Sequence, residues 1–439
     1  MLVNRMAPVP SSLGRTFRFW LPLALGWLMM SVEGPFLAAV IARLPAPREN
    51  LAAYGVAFAV AILVEAPVIM MLSASTALVA DRDSFRRVRS FTFILSGLLT
   101  MVMVAMLTTP LWLWVARHLI GLPDGVARLT WQALVLLVPW PGAIGYRRFY
   151  QGLLIRHGLP RRVAYGTVVR LVVMTTTGLT LSLYASHGGV SVAGMALSAG
   201  VLAEAAASRL MAQSVVRHLA ASPAKTSTSA ALSTARILRF YLPLAMTSTI
   251  SMAAHPMVTF FMGRAPAPLE SLAVLPVVNA LVFIFRAMGL AFQEVGIALL
   301  AESRLNRGPV ALFAALLAVV ASLVLALIAF TPLAELWFVT VSGLSPALAR
   351  VALWPLRILT LMPALSVFLS LERAFLVDRR RTASISYATA VELAGITGLL
   401  ALFTMGMGLN GAVGASLAFM GGRLASNLVL LRPTLRVHL

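Results

Sequence analysis

The chain has 439 residues, 60% of them hydrophobic and only 11% charged, with a mean hydropathy of +0.92. Soluble domains carry about 25% charged residues, so apolar surface on this scale has to be solvated by lipid, which excludes a soluble enzyme. The net charge of +21 does not mark a nucleic-acid binder either, because the cations recur at intervals between apolar runs, as membrane topology demands. There is no cysteine, which excludes disulfides, thiolate metal sites and cysteine catalysis.

In chain order, Arg5, Arg15 and Arg18 precede an apolar run that starts at Phe19 and lacks a small-residue cleavage site, so the run reads as a first membrane helix and not a removed signal. A span needs about 20 apolar residues. Twelve are predicted, the first six near 18–43, 51–80, 88–115, 128–156, 162–186 and 190–216. A small, polar stretch around Ala220–Ser229 follows and reads as the one real linker. The remaining six lie near 238–263, 270–301, 309–331, 348–377, 382–407 and 410–431.

The chain also reads twice. Phe19-Trp20-Leu21-Pro22-Leu23-Ala24 returns as Phe240-Tyr241-Leu242-Pro243-Leu244-Ala245, and the same 221-residue offset carries Pro35 onto Pro256 and Arg86 onto Arg307. An offset of 222 then carries Gly121-Leu122 onto Gly343-Leu344 and Tyr165 onto Tyr387. A duplication of this length predicts an N-lobe at 1–219, a cytoplasmic linker at 220–236 and a C-lobe at 237–439, each lobe with six helices. Six spans is an even number, so both lobes enter the membrane from the same side. The repeats are then parallel, related by a pseudo-two-fold axis along the membrane normal.

Arginine sets the orientation. One series of loops holds Arg82, Arg86, Arg87 and Arg89, then Arg156, Arg161 and Arg162, and later Arg379, Arg380 and Arg381, whereas the alternate loops are poor in cations. The positive-inside rule puts these loops, both termini and the linker in the cytoplasm. Prolines interrupt several spans, among them Pro67, Pro139, Pro141, Pro256, Pro355 and Pro363. Each removes a backbone donor that neighbours or cavity water must compensate, whether the kink is a fixed packing feature or bends in a transport cycle.

A charged side chain at bilayer depth costs roughly 2.5–3.5 kcal/mol and needs a partner or a wet cavity. Arg170 with Glu204, and Glu392 with Arg423, lie on successive helices and read as one structural pair per lobe, with polarity reversed. Arg147, Arg148 and Arg209 read as cytoplasmic-end arginines that snorkel to the interface. Glu65 and Arg286 are repeat equivalents deep in the second helix of each lobe, and read as either an interlobe salt bridge or a gate or anion site. Guanidinium groups bind carboxylate and phosphate in bidentate fashion. Arg286, Arg357, His255 and Arg373 are therefore the candidate substrate contacts, and Glu33, Glu65, Glu294 and Glu372 the candidate gating or coupling groups. The coupling ion would be H⁺ or Na⁺. No other cofactor, and no metal, is expected.

Leu51-Ala52-Ala53-Tyr54-Gly55-Val56-Ala57-Phe58, Gly152-Leu153-Leu154-Ile155-Arg156-His157, Phe240-Tyr241-Leu242-Pro243-Leu244-Ala245 and Pro355-Leu356-Arg357-Ile358 run in the same order as similar segments of the progressive ankylosis (ANK) transporters. On these segments the chain resembles that family, part of the multidrug/oligosaccharidyl-lipid/polysaccharide (MOP) exporter superfamily that includes the MATE transporters. The resemblance implies a MATE-like all-α membrane fold of two six-helix lobes around a V-shaped cavity, alternating access, and export of citrate-, nucleotide- or pyrophosphate-like anions. It aligns Arg357, Glu33 and Glu294 with polar family positions, whereas His255 stands where the family has an arginine.

The expectation is a monomeric exporter of a small organic anion in a bacterial inner membrane, its partners being the lipid bilayer and the solute. A cationic-drug exporter or a lipid-linked flippase is the alternative within transport, and a membrane scaffold or receptor outside it. An enzyme is not expected, since there is no His-Glu-x-x-His motif and no serine or aspartate protease signature, and without a Gly-x-x-x-x-Gly-Lys-[Ser/Thr] loop the energy is expected from a gradient or from the substrate's own.

Overall fold

The structure is a computed structural model, describing residues 12–184, 188–221, 233–379 and 382–438. Most of the expected linker, and Arg380 and Arg381 of the expected cytoplasmic loops, lie outside the described residues. The described chain is all-α. The first repeat supplies α1 (Leu13–Ser31), α2 (Glu33–Ala42), α3 (Pro47–Ile69), α4 (Met71–Leu78), α5 (Arg82–Met106), α6 (Thr109–Trp114), α7 (Asp124–Leu136), α8 (Trp140–Arg156), α9 (Pro160–Tyr184), α10 (Gly189–Met211) and α11 (Gln213–Ala221). The second supplies α12 (Thr234–Met252), α13 (Ala254–Met262), α14 (Pro268–Glu302), α15 (Arg307–Phe330), α16 (Leu333–Glu335), α17 (Pro346–Ile358), α18 (Met362–Asp378), α19 (Thr382–Leu400) and α20 (Gly411–His438).

Eleven helical stretches among the described residues are long and apolar enough to cross a membrane, one fewer than expected. The missing one is 128–156, which the structure builds as α7 and α8 with a break around Pro139, and whose second half carries Arg147, Arg148 and Arg156. Broken there, α7 has 13 residues and α8 has 17, each shorter than the roughly 20 residues of a full span. The equivalent stretch in the second repeat, α17 and α18, is joined by a short 3-10 turn at Leu359–Leu361 and remains a continuous span.

The duplication is visible turn by turn. Ser12 and Ser233 both N-cap the first helix of their repeat, each accepting a backbone N–H three residues on at 3.2 Å. Both first helices break just ahead of Pro35 and Pro256. Ala46 and Ala267 both adopt the left-handed conformation (φ 51° and 52°) before a helix-starting proline. Wide π-helical turns at Val115–Ile120 and Leu336–Val341 each run into a glycine with positive φ, Gly121 at 80° and Gly343 at 74°.

Packing divides the chain into two units, one of Phe36–Ala273 and one of Met1–Pro35 with Val274–Leu439. The halves of the duplication and the units of packing thus differ at the first helix of each repeat. In the first unit α12 lies along α3. The reason is local: α3 ends at Ile69, two residues after Pro67, and the last-turn carbonyls of a helix have no intrahelical partner. Ser248 donates to the carbonyl of Ala66 at 2.7 Å and the Tyr241 hydroxyl donates to that of Pro67, so α12 supplies the missing donors inside an apolar environment. Tyr241 also closes a core with Met71, Phe85 and Phe149. In the second unit α1 packs on α15: Trp20 sits edge-on to Phe313 with centroids 5.7 Å apart and donates its indole N–H to the carbonyl of Met288 at 3.1 Å.

Candidate functional site

Each unit buries a cluster of opposite charges between its helices. In the first unit Glu204 of α10, only 1% exposed, accepts hydrogen bonds from Arg147 and, at 3.0 Å, from Gln151, both on α8. Arg170 of α9 stands 3.7 Å from the same carboxylate. Arg148 lies within electrostatic reach of Arg147, Arg170, Glu204 and Glu65, the last contributed by α3. Glu65 is 8% exposed, and its Oε2 is buried with no hydrogen-bond partner among the described residues; the same holds for Nε of Arg148.

In the second unit Arg423 of α20 donates to Glu392 of α19 at 2.8 Å. Arg286 of α14 is in electrostatic reach of both, and its Nε lies 3.4 Å from the Ser366 hydroxyl on α18. Arg373 of α18 faces Arg423, Glu392 and Glu372, and reaches the Thr389 hydroxyl at 3.5 Å. Each cluster therefore contains three arginines and two glutamates. The signs are exchanged between repeats at two positions, Glu65 corresponding to Arg286 and Arg170 to Glu392, while neutral Gln151 corresponds to Arg373.

Of the residues singled out from the sequence, Arg286, Arg373 and Glu372 come together in the second cluster, and Glu65 joins the first. Glu33 is buried as the first residue of α2, directly after the break of the first span. His255 is exposed at the start of α13, where Thr259 donates to its carbonyl at 3.1 Å. Glu294 is exposed on α14. Arg357 has a different environment: its Nε donates to the carbonyl of Ala329 at 3.3 Å, one residue from the end of α15. Its guanidinium lies 5.6 Å from the ring centroid of Phe330 and 5.4 Å from that of Trp354, both mostly exposed. That is a cation capping a helix C-terminus between two aromatic rings.

The expected pairs Arg170–Glu204 and Arg423–Glu392 are both present. The expected snorkelling of Arg147 is not: the side chain is 5% exposed and its partner is Glu204. Arg209, by contrast, stacks over the Tyr150 ring at 5.3 Å. The depth of Arg147 was available in the sequence, since it precedes the end of α8 at Arg156 by nine residues, or about 13 Å of helix, more than a flexible side chain spans comfortably. A surface cavity in the first unit is lined by Trp112, Leu113, Arg117, Asp124, Arg128 and Trp131, and contains none of the expected site residues.

No protein-family profile matches the chain, and no curated protein sequence is detectably similar. Solved structures are similar. An inward-facing multidrug resistance MATE transporter of the MOP superfamily superposes with a TM-score of 0.73 at 16% identity, covering 98% of both chains. The fold is that of the MATE transporters. A MOP superfamily transporter from Pyrococcus furiosus, described as having a binding pocket of reverse polarity, gives 0.65 at 17% identity over 98% of this chain and 96% of its own. The lipid II flippase MurJ, in an inward closed conformation, gives 0.68 at 12% identity over 95% and 90%. With eleven apolar helices long enough to cross a membrane among the described residues, the chain is a multi-pass membrane protein of this fold. The neighbouring structures are of transporters and a flippase, and the ANK resemblance gains no support from them.

Proposed function

We propose that the protein is a secondary transporter that exports a small organic anion by alternating access. The observation that carries this reading is the second-unit cluster, in which Arg286, Arg373 and Arg423 outnumber Glu372 and Glu392 within an otherwise apolar helix bundle. A guanidinium held at such depth is costly, and a carboxylate or phosphate offers it a bidentate partner. Arg286 and Arg373 are the substrate contacts in this reading, and Glu372 the group whose charge opposes them. Glu65, Glu33 and Glu294 remain the candidates for H⁺ or Na⁺ coupling.

The MATE fold supports alternating access, because a neighbouring structure is named as an inward-facing state. Another neighbour, whose binding pocket is described as having reverse polarity that suggests a different function, is compatible with a change of substrate class within this fold. The ANK-like segments point to the same class, citrate, nucleotides or pyrophosphate. The arginine-rich loops, by the positive-inside rule, support cytoplasmic termini, and the reading takes the membrane to be a bacterial inner membrane. The fold alone also suits a flippase, which the same assay separates.

Purified protein in liposomes loaded with labelled citrate, nucleotide or pyrophosphate, under imposed proton or sodium gradients, tests the reading. The expected result is gradient-dependent flux of one of these anions that R286Q lowers at least tenfold. Absence of flux for every anion, alongside transfer of a cationic dye or a labelled lipid, would replace it.

A further inference from the structure

The cavity formed by α6, the wide turn at Val115–Ile120 and α7 has no part in the transport reading, and no residue of either charge cluster lines it. Its volume is about 340 Å³, at the small end of the roughly 300–1,000 Å³ of small-molecule sites. Two tryptophans form its walls, and both indole donors are already engaged. The N–H of Trp112 goes to the carbonyl of Ala127 and that of Trp131 to the carbonyl of Leu107, both at 2.9 Å. These bonds fix the rings as apolar surfaces. The donors left at the rim are guanidinium groups. Arg117 uses only its Nε, on Asp124 at 2.8 Å, and Arg128 makes no hydrogen bond or ion pair among the described residues.

The level of the cavity follows from α5. That helix starts among Arg82, Arg86, Arg87 and Arg89 and runs for 25 residues, about 37 Å, which exceeds a hydrocarbon core of about 30 Å. The cavity closes on the far end of α5, through Leu107, and so lies at the headgroup level opposite the arginine-rich loops. Beside it Leu111, Trp114 and Leu119 leave about half their surface uncovered. The second repeat keeps the helical frame without these side chains. At the 222-residue offset Trp112, Arg117, Asp124 and Trp131 become Ala334, Val339, Pro346 and Leu353, and only Arg128 keeps its counterpart, Arg350. Packing of this corner therefore requires neither the indole walls nor the second guanidinium.

We propose that this cavity seats the phosphodiester headgroup of an anionic phospholipid from the leaflet opposite the arginine-rich loops. The guanidiniums of Arg117 and Arg128 hold the phosphate oxygens, the two indoles enclose the headgroup, and the acyl chains lie on Leu111, Trp114 and Leu119. Asp124 is already engaged by Arg117, so the rim has no free carboxylate for the ammonium of a zwitterionic lipid. Apolar walls under a charged rim suit a lipid better than a free, fully hydrated anion. The site shares no residue with the proposed transport contacts and does not depend on them.

The test is melting of the purified full-length protein in detergent, titrated with dioctanoyl phosphatidylglycerol, dioctanoyl phosphatidylethanolamine or inorganic phosphate. The melting temperature should rise saturably with phosphatidylglycerol and not with the other two. R117Q/R128Q, which removes both phosphate contacts, should raise the midpoint concentration about tenfold or more. L113W, which fills the cavity and keeps both guanidiniums, should do the same. R350Q, at the equivalent position of the second repeat, should leave the midpoint unchanged. Native mass spectrometry of the protein released from mixed micelles should show a retained phosphatidylglycerol that R117Q/R128Q loses, a readout independent of melting. An equal rise with phosphatidylethanolamine overturns the proposal and leaves an ordinary aromatic belt, and an equal rise with inorganic phosphate replaces the lipid by a free anion. A response that R117Q/R128Q retains, or that R350Q loses as fully, overturns it as well.

Discussion

Replacing Glu204 by glutamine is the sharpest test of how the bundle is held together. The carboxylate is 1% exposed and takes a hydrogen bond from Arg147, another from Gln151 at 3.0 Å, and the charge of Arg170 at 3.7 Å. Glutamine keeps the shape and removes the charge, so the surplus in the cluster rises from one positive charge to two. Breaking a buried ion pair from one side costs about 3–5 kcal/mol. Unfolding entropy is about 2.1 cal/mol/K per residue, or about 0.9 kcal/mol/K over 439 residues, so the melting temperature should fall by about 3–5 °C. The exposed pair Arg117–Asp124, at 2.8 Å with its side chains 49% and 63% exposed, provides the contrast. Such pairs contribute about 0–1 kcal/mol, so D124N should move melting by about 1 °C or less. The double variant R147M/E204Q restores the original surplus and should recover most of the loss. Melting of the detergent-solubilised protein, followed by intrinsic tryptophan fluorescence, measures all three. An E204Q protein that melts within 1 °C of the parent, or a D124N protein that loses as much as E204Q, would refute the claim that buried charge pairing holds this bundle.

Gly152 lets α8 approach α4 closely: a Cβ there would lie 1.8 Å from the Ser75 hydroxyl and 2.5 Å from the backbone carbonyl of Leu72, which has no rotamer to change. G152A should therefore destabilise by about 1–3 kcal/mol through overpacking, read as a lower melting temperature. The double change Y241F/S248A strips the donors from the carbonyls of Pro67 and Ala66, and at about 1 kcal/mol per lost hydrogen bond should lower stability by about 2 kcal/mol in the same assay. R357M should lower the melting temperature by removing the cap on α15, yet leave anion flux within about twofold of the parent.

The duplication was legible because it shows in residues that cannot be exchanged freely: prolines that break the same turns and glycines at positive φ after the same wide turns. Membrane solvation was legible from composition, and the pairs Arg170–Glu204 and Arg423–Glu392 from their spacing on successive helices. What the sequence hid was company. Arg147 and Arg148 looked like interface arginines because they precede a basic loop, and only the packing of α10 against α8 shows that Glu204 meets the first of them. The bond from Arg357 to the end of α15 was hidden as well, because where α15 ends against α17 is a tertiary fact. The packing units were hidden for the same reason, since the attachment of α12 to α3 rests on two side-chain hydroxyls meeting carbonyls about 180 residues away.

The sign exchange between the repeats shows what the fold constrains. Were particular residues required for packing, equivalent positions would hold the same residue, as the prolines and glycines do. Instead glutamate stands opposite arginine at 65 and 286, and arginine opposite glutamate at 170 and 392, while the partners shift too: Glu204 is met from α8, whereas Glu392 is met by Arg423 from α20. Both clusters nevertheless reach the same sum, three positive charges against two negative. Charges that drift in position while preserving their balance are held by the electrostatics of the interior and not by the shape of any one contact.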